Sequence, residues 1–157
     1  MSSSVKFTPI CGAHTSGSAP TPLCYLLQID EFNILLDCGW SEPFDVSVLE
    51  PLAAIAPTID AILLSHADTN HLGALPYAFK KLGLTGTVYC TLPVNKMGHL
   101  IMYDHCWSRK QVSDFDLFTL DDVDEAFQNC IQLKYSQPQV GPTLHTDEGS
   151  ESPRLLD

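Results

Sequence analysis

The feature that most constrains the fold is a run of apolar residues at 59–64, which reads Ile-Asp-Ala-Ile-Leu-Leu. The run has the length of a strand, and a nearly continuous apolar strand is typical of a central strand covered on both faces. A polar loop follows it, with the sequence Ser65-His-Ala-Asp-Thr-Asn-His-Leu-Gly73. The two segments predict a parallel or mixed sheet with a chemistry-bearing loop at its carboxyl edge, where α/β proteins commonly place their sites.

Strand and helix patterns alternate along the rest of the chain. Strands are predicted at 5–9, 24–29, 33–36, 59–64, 87–90 and 131–135, and helices at 45–56, 72–82, 94–108 and 120–129. The strands at 24–29 and 33–36 are separated by only three residues, which predicts a hairpin. Pro57 is predicted to end the first helix, and Thr119 or Asp121 to cap the last one. This order predicts the α/β fold class, a sheet with helical cover.

Two segments do not fit any regular element. Residues 14–22 are rich in Gly, Ser and Pro, which predicts a flexible surface loop. Residues 138–157 lose all periodicity and are predicted to be disordered.

Composition narrows the class of protein. A chain of 157 residues with 45% hydrophobic residues is too apolar to be disordered, and predicts one domain or a piece of one. No apolar run approaches the roughly 18 to 20 residues that span a bilayer, and the start of the chain lacks a secretory signal. Both observations predict a soluble, unsecreted chain that has no membrane partner. The six cysteines form no C-x-x-C pair, which predicts reduced thiols in the cytosol or nucleus.

The charge of the chain is strongly acidic but uneven. Eight basic and nineteen acidic residues give a net charge of −11, which argues against a broad electrostatic grip on nucleic acid. Any RNA contact is predicted in the more basic stretch at 79–110. Its basic residues are Lys80, Lys81, Lys96, Arg109 and Lys110. The acidic stretch at 114–125 predicts either a solvated face or a partner-docking surface.

Four residues near the polar loop are candidate metal ligands. His66, Asp68 and His71 lie in the loop, and Asp37, at the end of an earlier strand, is placed to converge on them. The alternatives are that the histidines are ordinary loop residues and that Asp37 accepts hydrogen bonds from backbone amides near Gly39. The residues alone leave both interpretations open.

The aromatic and remaining histidine residues give weaker signals. Trp40 and Trp107 are predicted to anchor packing and not to contact RNA. No ligand spacing links the other histidines, His14, His99, His105 and His145.

The loop and its surroundings carry a resemblance to a known family. The motif Ser-His-x-x-x-x-His-Leu-Gly-Ala-Leu-Pro-Tyr77, with Leu35-Leu-Asp-Cys-Gly39 upstream, resembles the metallo-β-lactamase fold as used by RNA-processing nucleases of the β-CASP group. The resemblance covers residues 5–137. It implies the amino-terminal half of an αββα sandwich, a partial domain followed by a divergent tail at 138–157. Such an incomplete sandwich is expected to expose an apolar sheet face.

The loop departs from the family pattern at two positions. Active family members carry H-x-H-x-D-H here, whereas this chain has Asp68 in place of the second histidine and Asn70 in place of the aspartate. Two divalent ions about 3.5 to 4 Å apart need anionic or imidazole ligands, and a neutral amide is a poor substitute. The comparison with the family therefore implies no metal ligands, no catalytic residues, no cofactor and no enzyme activity.

The resemblance also implies a function. It predicts a noncatalytic nuclear subunit of the pre-mRNA 3′-end cleavage and polyadenylation complex, with scaffold and RNA-contact roles. An active nuclease homologue and the other subunits of the complex are the implied partners, and pre-mRNA is contacted mainly through the complex. The alternative is a zinc-dependent hydrolase or nuclease with a degenerate metal site built from His66, Asp68 and His71.

Overall fold

A single six-stranded mixed sheet forms the centre of the computed structural model, which describes residues 4–12, 21–136 and 138–139. The spatial order of the strands equals their chain order, with the first three strands antiparallel and the last four mutually parallel. The strands are β1 (Val5–Cys11), β2 (Cys24–Ile29), β3 (Phe32–Leu36), β4 (Ala61–Leu63), β5 (Thr87–Thr91) and β6 (Ile131–Leu133). The predicted α/β class and the predicted hairpin of β2 and β3 are confirmed.

Five α-helices accompany the sheet in the described part of the chain. They are α1 (Glu50–Ile55), α2 (Thr69–Leu72), α3 (Leu75–Lys81), α4 (Leu92–Val112) and α5 (Leu120–Gln128), and 3₁₀ turns at Val46–Leu49 and Ala56–Thr58 flank α1. Thr119 caps α5 in a capping box with Asp122, which settles the choice between Thr119 and Asp121.

Three predicted helices differ from the observed ones. The helix predicted at 72–82 is divided into α2 and α3, with Pro76 in the first turn of α3, where its missing N–H costs no hydrogen bond. The helix predicted at 94–108 is longer at both ends, and Pro93 is likewise accommodated in its first turn. The helix predicted at 45–56 is a 3₁₀ turn followed by α1. The α-helix ends at Ile55, before Pro57 as predicted, and a separate 3₁₀ turn continues to Thr58.

One face of the sheet packs against the helices and forms the core. The strand residues in this cluster are 0 to 9% exposed, and they are Cys11, Cys24, Leu26, Leu35, Ile62, Val88 and Cys90. Burial raises the pKa of the Cys24 and Cys38 thiols, so both stay protonated and behave as small apolar side chains. The sequence prediction of reduced, largely buried cysteines agrees with the free thiols of the structure.

Several sequence predictions fall on other parts of the chain. The flexible loop predicted at 14–22 and the disordered tail predicted at 138–157 lie mostly outside the described residues, as do His14 and His145. The domain bounds 5–137 stay a prediction. No helix in the ranges that the structure describes is both long and apolar enough to cross a bilayer.

Candidate metal-site loop

The site loop, residues 65–73, lies beside the segment that follows β3, at the carboxyl edge of the parallel strands. Backbone hydrogen bonds join the two segments: Cys38 N–H donates to His71 O at 2.7 Å, and Trp40 N–H donates to Thr69 O at 2.9 Å. The amide of Leu23, just before β2, donates to Asn70 O at 2.7 Å. The loop is therefore fixed by backbone contacts with two earlier parts of the chain.

Gly39 permits this close approach. A Cβ at this position would lie 1.7 Å from the carbonyl oxygen of Asn70 and 2.7 Å from the amide nitrogen of Leu23. Both atoms belong to the backbone, so neither can move aside without breaking the contacts between the segments. A residue with a side chain therefore does not fit at position 39.

Asp37 orients the start of the site loop. Its carboxylate accepts hydrogen bonds from the Ser65 amide at 2.8 Å and from the Ser65 hydroxyl at 2.7 Å. Since the hydroxyl hydrogen is committed to Asp37, Nδ1–H of His66, 2.8 Å from Ser65 Oγ, donates to that oxygen. Asp37 thus does accept from a backbone amide, as the alternative interpretation expected, but from Ser65 and not near Gly39.

Asp68 has two structural partners within the loop. Its side chain caps α2 by accepting from the Asn70 amide at 2.9 Å, and it accepts from Nδ1–H of His71 at 2.8 Å. The carboxylate that replaces a family histidine therefore holds a neighbouring histidine in place.

The loop brings the two histidines together. The ring centroids of His66 and His71 are 4.5 Å apart, with an interplanar angle of 37°. Asp68 is connected to this pair by its hydrogen bond with His71. Asp37 is connected to it only through Ser65, which contacts both Asp37 and His66. Ser65 is the residue that sequence reasoning missed, and its position directly after the apolar strand was the available signal.

The side chains do not fit a pair of catalytic zinc ions. Within the described residues, no group of three or more His, Cys, Asp or Glu side chains is arranged to hold a metal ion. Asn70 stands where active members place an aspartate, and its buried Oδ1 has no hydrogen-bond partner among the residues described. A neutral amide in that position does not offset the repulsion between two divalent ions.

A family model described as the metallo-beta-lactamase superfamily domain matches residues 26–147 of the chain. The chain belongs to the metallo-beta-lactamase superfamily. This confirms the resemblance inferred from the residues of the site loop and of the strands before it.

Comparison with individual proteins identifies relatives that are more specific than the superfamily as a whole. The chain is 63% identical to "Cleavage and polyadenylation specificity factor subunit 2" of Oryza sativa subsp. japonica and 61% identical to the protein of that name from Arabidopsis thaliana. Each match covers 137 residues, which is 87% of this chain and 18% of the relative. The chain thus spans about a fifth of the length of these relatives.

A solved structure of the superfamily is also similar. The metallo-beta-lactamase fold protein YhfI from Bacillus subtilis matches with a TM-score of 0.47 and 20% sequence identity, over 86% of this chain and 47% of that chain.

The five basic residues predicted to contact RNA are not all free of ion pairs within the protein. Lys80 Nζ lies 3.0 Å from Asp122 Oδ1, and Arg109 Nη2 lies 2.9 Å from Glu42 Oε2. Ion pairing thus engages two of the five basic side chains predicted to contact RNA.

The two tryptophans differ in environment. Trp40 is buried, and its indole N–H donates to Asp45 O at 2.9 Å, which confirms the predicted packing role. Trp107 is 54% exposed on α4, so the prediction that it anchors packing is wrong. Helical periodicity placed Trp107 on α4, but only tertiary packing decides which side of a helix faces the core.

Proposed function

We propose that this chain acts as part of a noncatalytic subunit of the pre-mRNA 3′-end cleavage and polyadenylation complex. The observation that carries the proposal is the 61 to 63% identity, along 87% of the chain, to proteins named subunit 2 of the cleavage and polyadenylation specificity factor. In this proposal the chain works in the nucleus as a scaffold. Its partners are an active nuclease homologue of the same superfamily and the other subunits of the complex.

The composition of the site loop supports the noncatalytic part of the proposal. Hydrolysis by a two-metal site requires ligands that hold both ions and activate a water molecule. Here Asp68 caps α2 and fixes His71, while Asn70 offers only a neutral amide. We therefore assign no catalytic residue and no metal ligand to the described part of the chain.

The purified chain is expected to hold no stoichiometric zinc after dialysis against metal-free buffer, because the loop offers too few anionic and imidazole ligands. Elemental analysis by mass spectrometry measures the zinc directly. One zinc per chain that disappears in His66→Ala or His71→Ala would contradict the noncatalytic assignment.

One observation favours the alternative function, a zinc-dependent hydrolase. The hydrogen bonds of the described residues engage Nδ1 of both His66 and His71, and Nε2 of neither ring has a hydrogen-bond partner among those residues. A histidine metal ligand has this arrangement, in which one nitrogen binds the metal and the other is hydrogen-bonded. The zinc measurement decides between the two functions.

Association with the complex is tested by affinity purification of the tagged chain from nuclear extract of its own organism, followed by mass spectrometry. We expect recovery of the active nuclease homologue and other complex subunits. The His66→Ala/His71→Ala variant is the matched control, and it should recover the same proteins because a scaffold does not need these imidazoles. Absence of complex subunits from the tagged sample would contradict the proposal.

Direct binding of RNA by this chain is expected to be weak and strongly salt-dependent, because the net charge is −11 and Lys80 and Arg109 are engaged with carboxylates. Combined Lys81→Gln, Lys96→Gln and Lys110→Gln replacements should remove most of the binding to a single-stranded RNA at low salt. Fluorescence anisotropy over a salt series measures it. The Lys80→Gln variant is the control and should reduce affinity less, because its charge is balanced by Asp122. Equal losses in both variants would contradict this charge assignment.

A further inference from the structure

Helix α4 carries apolar side chains on the side that points away from the core. Its inner side, with Met102 and Cys106 buried, packs against α2, α5, β5 and β6. Four large apolar residues of the helix are exposed: Met97 (50%), Leu100 (60%), Tyr103 (38%) and Trp107 (54%). The outer side of a surface helix is normally polar, and a helix that is apolar on both sides is normally buried on both sides. An exposed apolar surface of this kind indicates a binding site.

The outer side of α4 also stays on the surface of a complete αββα sandwich. The layers of such a sandwich run helices, sheet, sheet, helices, so the helices lie outside both sheets. Met102 and Cys106 of α4 join the same core cluster as the strand residues Val88 and Cys90, so α4 belongs to one outer layer. The other half of a sandwich packs on the opposite face of the sheet and does not reach the outer side of α4.

The exposed side chains follow the spacing with which helices pack along one another. Lys96, Leu100, Tyr103, Trp107 and Lys110 are separated by four, three, four and three positions. This alternation keeps the five residues on one side of the helix, as in the contact line of a coiled coil. We call these five residues the α4 stripe. An open groove of about 400 Å³ runs along it, lined by Leu100, Tyr103, Asp104 and Trp107.

A lysine lies at each end of the α4 stripe. The nearby Arg109 is engaged with Glu42 at 2.9 Å, whereas Lys96 and Lys110 take part in none of the ion pairs found among the described residues. The two lysines are 14 positions apart, which corresponds to about 21 Å along a helix. A partner that satisfies both therefore needs a carboxylate at each end of an apolar surface of this length.

We propose that the α4 stripe binds an amphipathic helix of a partner protein, which has aliphatic side chains along its contact side and an acidic residue at each end of them. The aliphatic side chains enter the groove beside Leu100, Tyr103 and Trp107, as amphipathic helices do in hydrophobic grooves. Trp and Tyr are residue types that often dominate the binding energy of an interface. The carboxylates pair with Lys96 and Lys110 at the rim, where ion pairs favour the correct partner and register more than they add affinity.

A protein helix fits this surface better than single-stranded RNA does. RNA-binding surfaces of this kind combine a basic groove with aromatic side chains on which bases stack. Here the carboxylate of Asp104 lies in the groove lining, where it repels phosphates. Met97 and Leu100 offer no ring for stacking, whereas they are suited to contacts with the aliphatic side chains of another helix.

The probe is a fluorescently labelled, alanine-rich peptide of 21 residues, the length of α4. It carries leucines at alternating spacings of three and four and one glutamate at each end of the leucine row. A second peptide has lysine in place of both glutamates. Fluorescence anisotropy measures the binding of each peptide to the full 157-residue chain at physiological salt. We expect the acidic peptide to bind with a Kd on the order of 10 µM, and the basic peptide to bind at least about fivefold more weakly.

Trp107→Ala should weaken binding of the acidic peptide at least about tenfold, because it removes the largest apolar side chain of the groove. Tyr135→Ala is the matched control, because Tyr135 is an exposed aromatic residue outside α4, and it should leave the affinity unchanged. Circular dichroism verifies that both variants are folded. An affinity that Trp107→Ala does not change would overturn the proposal.

The double variant Lys96→Glu/Lys110→Glu tests the charges at the rim. It should reverse the preference, so that the basic peptide binds more tightly than the acidic one. Lys6→Glu/Lys81→Glu is the control, because it changes the net charge by the same amount at two exposed lysines on β1 and α3. A reversal in this control as well would show that the overall charge, and not the α4 stripe, sets the preference, and would contradict the proposal.

Failure of the acidic peptide to bind at about 500 µM of the chain would also overturn the proposal. The same variants are measured with a labelled single-stranded RNA. Loss of RNA binding in Trp107→Ala, with peptide binding unchanged, would assign the α4 stripe to base stacking instead.

Discussion

Gly39→Ala is expected to cause the largest loss of stability among single substitutions near the site loop, about 4 kcal/mol. The added methyl group would lie 1.7 Å from the carbonyl oxygen of Asn70. Relief of this overlap requires the segment after β3 to separate from the site loop, which breaks the hydrogen bonds between Cys38 and His71 and between Trp40 and Thr69. Urea unfolding followed by circular dichroism measures the difference from the parent chain.

Gly83→Ala is the control for Gly39→Ala, because it tests backbone conformation without crowding. Gly83 has a φ of +71°, and the nearest atom to an added Cβ is Pro57 Cγ at 3.7 Å. The left-handed conformation costs an alanine about 1 kcal/mol. A loss for Gly39→Ala that is no greater than the loss for Gly83→Ala would show that the two segments are not held together in the way described.

Asp122→Ala is expected to lower the free energy of unfolding by about 3 kcal/mol. The Asp122 side chain is 6% exposed, and it accepts hydrogen bonds from the amide and the hydroxyl of Thr119 at 2.8 and 2.9 Å. It also pairs with Lys80, which links α5 to α3. Its loss removes the Asp122 half of the capping box of α5 and the charge contact between these helices, while the Thr119 hydroxyl still accepts from the backbone amide of residue 122. Thermal unfolding measures the effect, and a shift in Tm of about 6 to 12 °C corresponds to this free energy.

The same carboxylate should make stability depend on pH. Burial alone would raise the pKa of Asp122, but hydrogen bonds from Thr119 and Lys80 outweigh it and hold the pKa below its ordinary value of 3.8. A lowered pKa in the folded state means that the stabilisation is fully present above the ordinary value, and is lost as the pH falls through the folded-state pKa. The difference in stability between the parent chain and Asp122→Ala should therefore shrink on acidification below about pH 4.

Lys80→Ala is the control that separates the cap from the ion pair. It leaves the hydrogen bonds from Thr119 to Asp122 intact, so it should destabilise the protein less than Asp122→Ala does. Equal losses for the two variants would mean that the ion pair, and not the cap, accounts for the effect.

The site could be predicted from the sequence only in part. The positions of His66, Asp68 and His71 on one loop followed from a single apolar strand and the helix after it, because these are neighbours along the chain. The role of Asp37 depended on Ser65, which lies 28 positions away. The ion-pair partners of Lys80 and Arg109 could likewise not be predicted from the sequence, because Asp122 and Glu42 are distant from them along the chain.

The sequence by itself determined the α/β class, the hairpin, the location of the site loop and the family to which it belongs. Each of these depends on residue type and spacing within short segments, where hydrophobic periodicity and turn chemistry act locally. Tertiary structure alone decided that Gly39 must lack a side chain, that Trp107 faces solvent and that the exposed hydrophobic residues of the described strands, such as Val5, Leu63 and Ile131, lie on one face of the sheet. These features depend on the register between strands and on the approach of distant segments, and no local pattern encodes either of them.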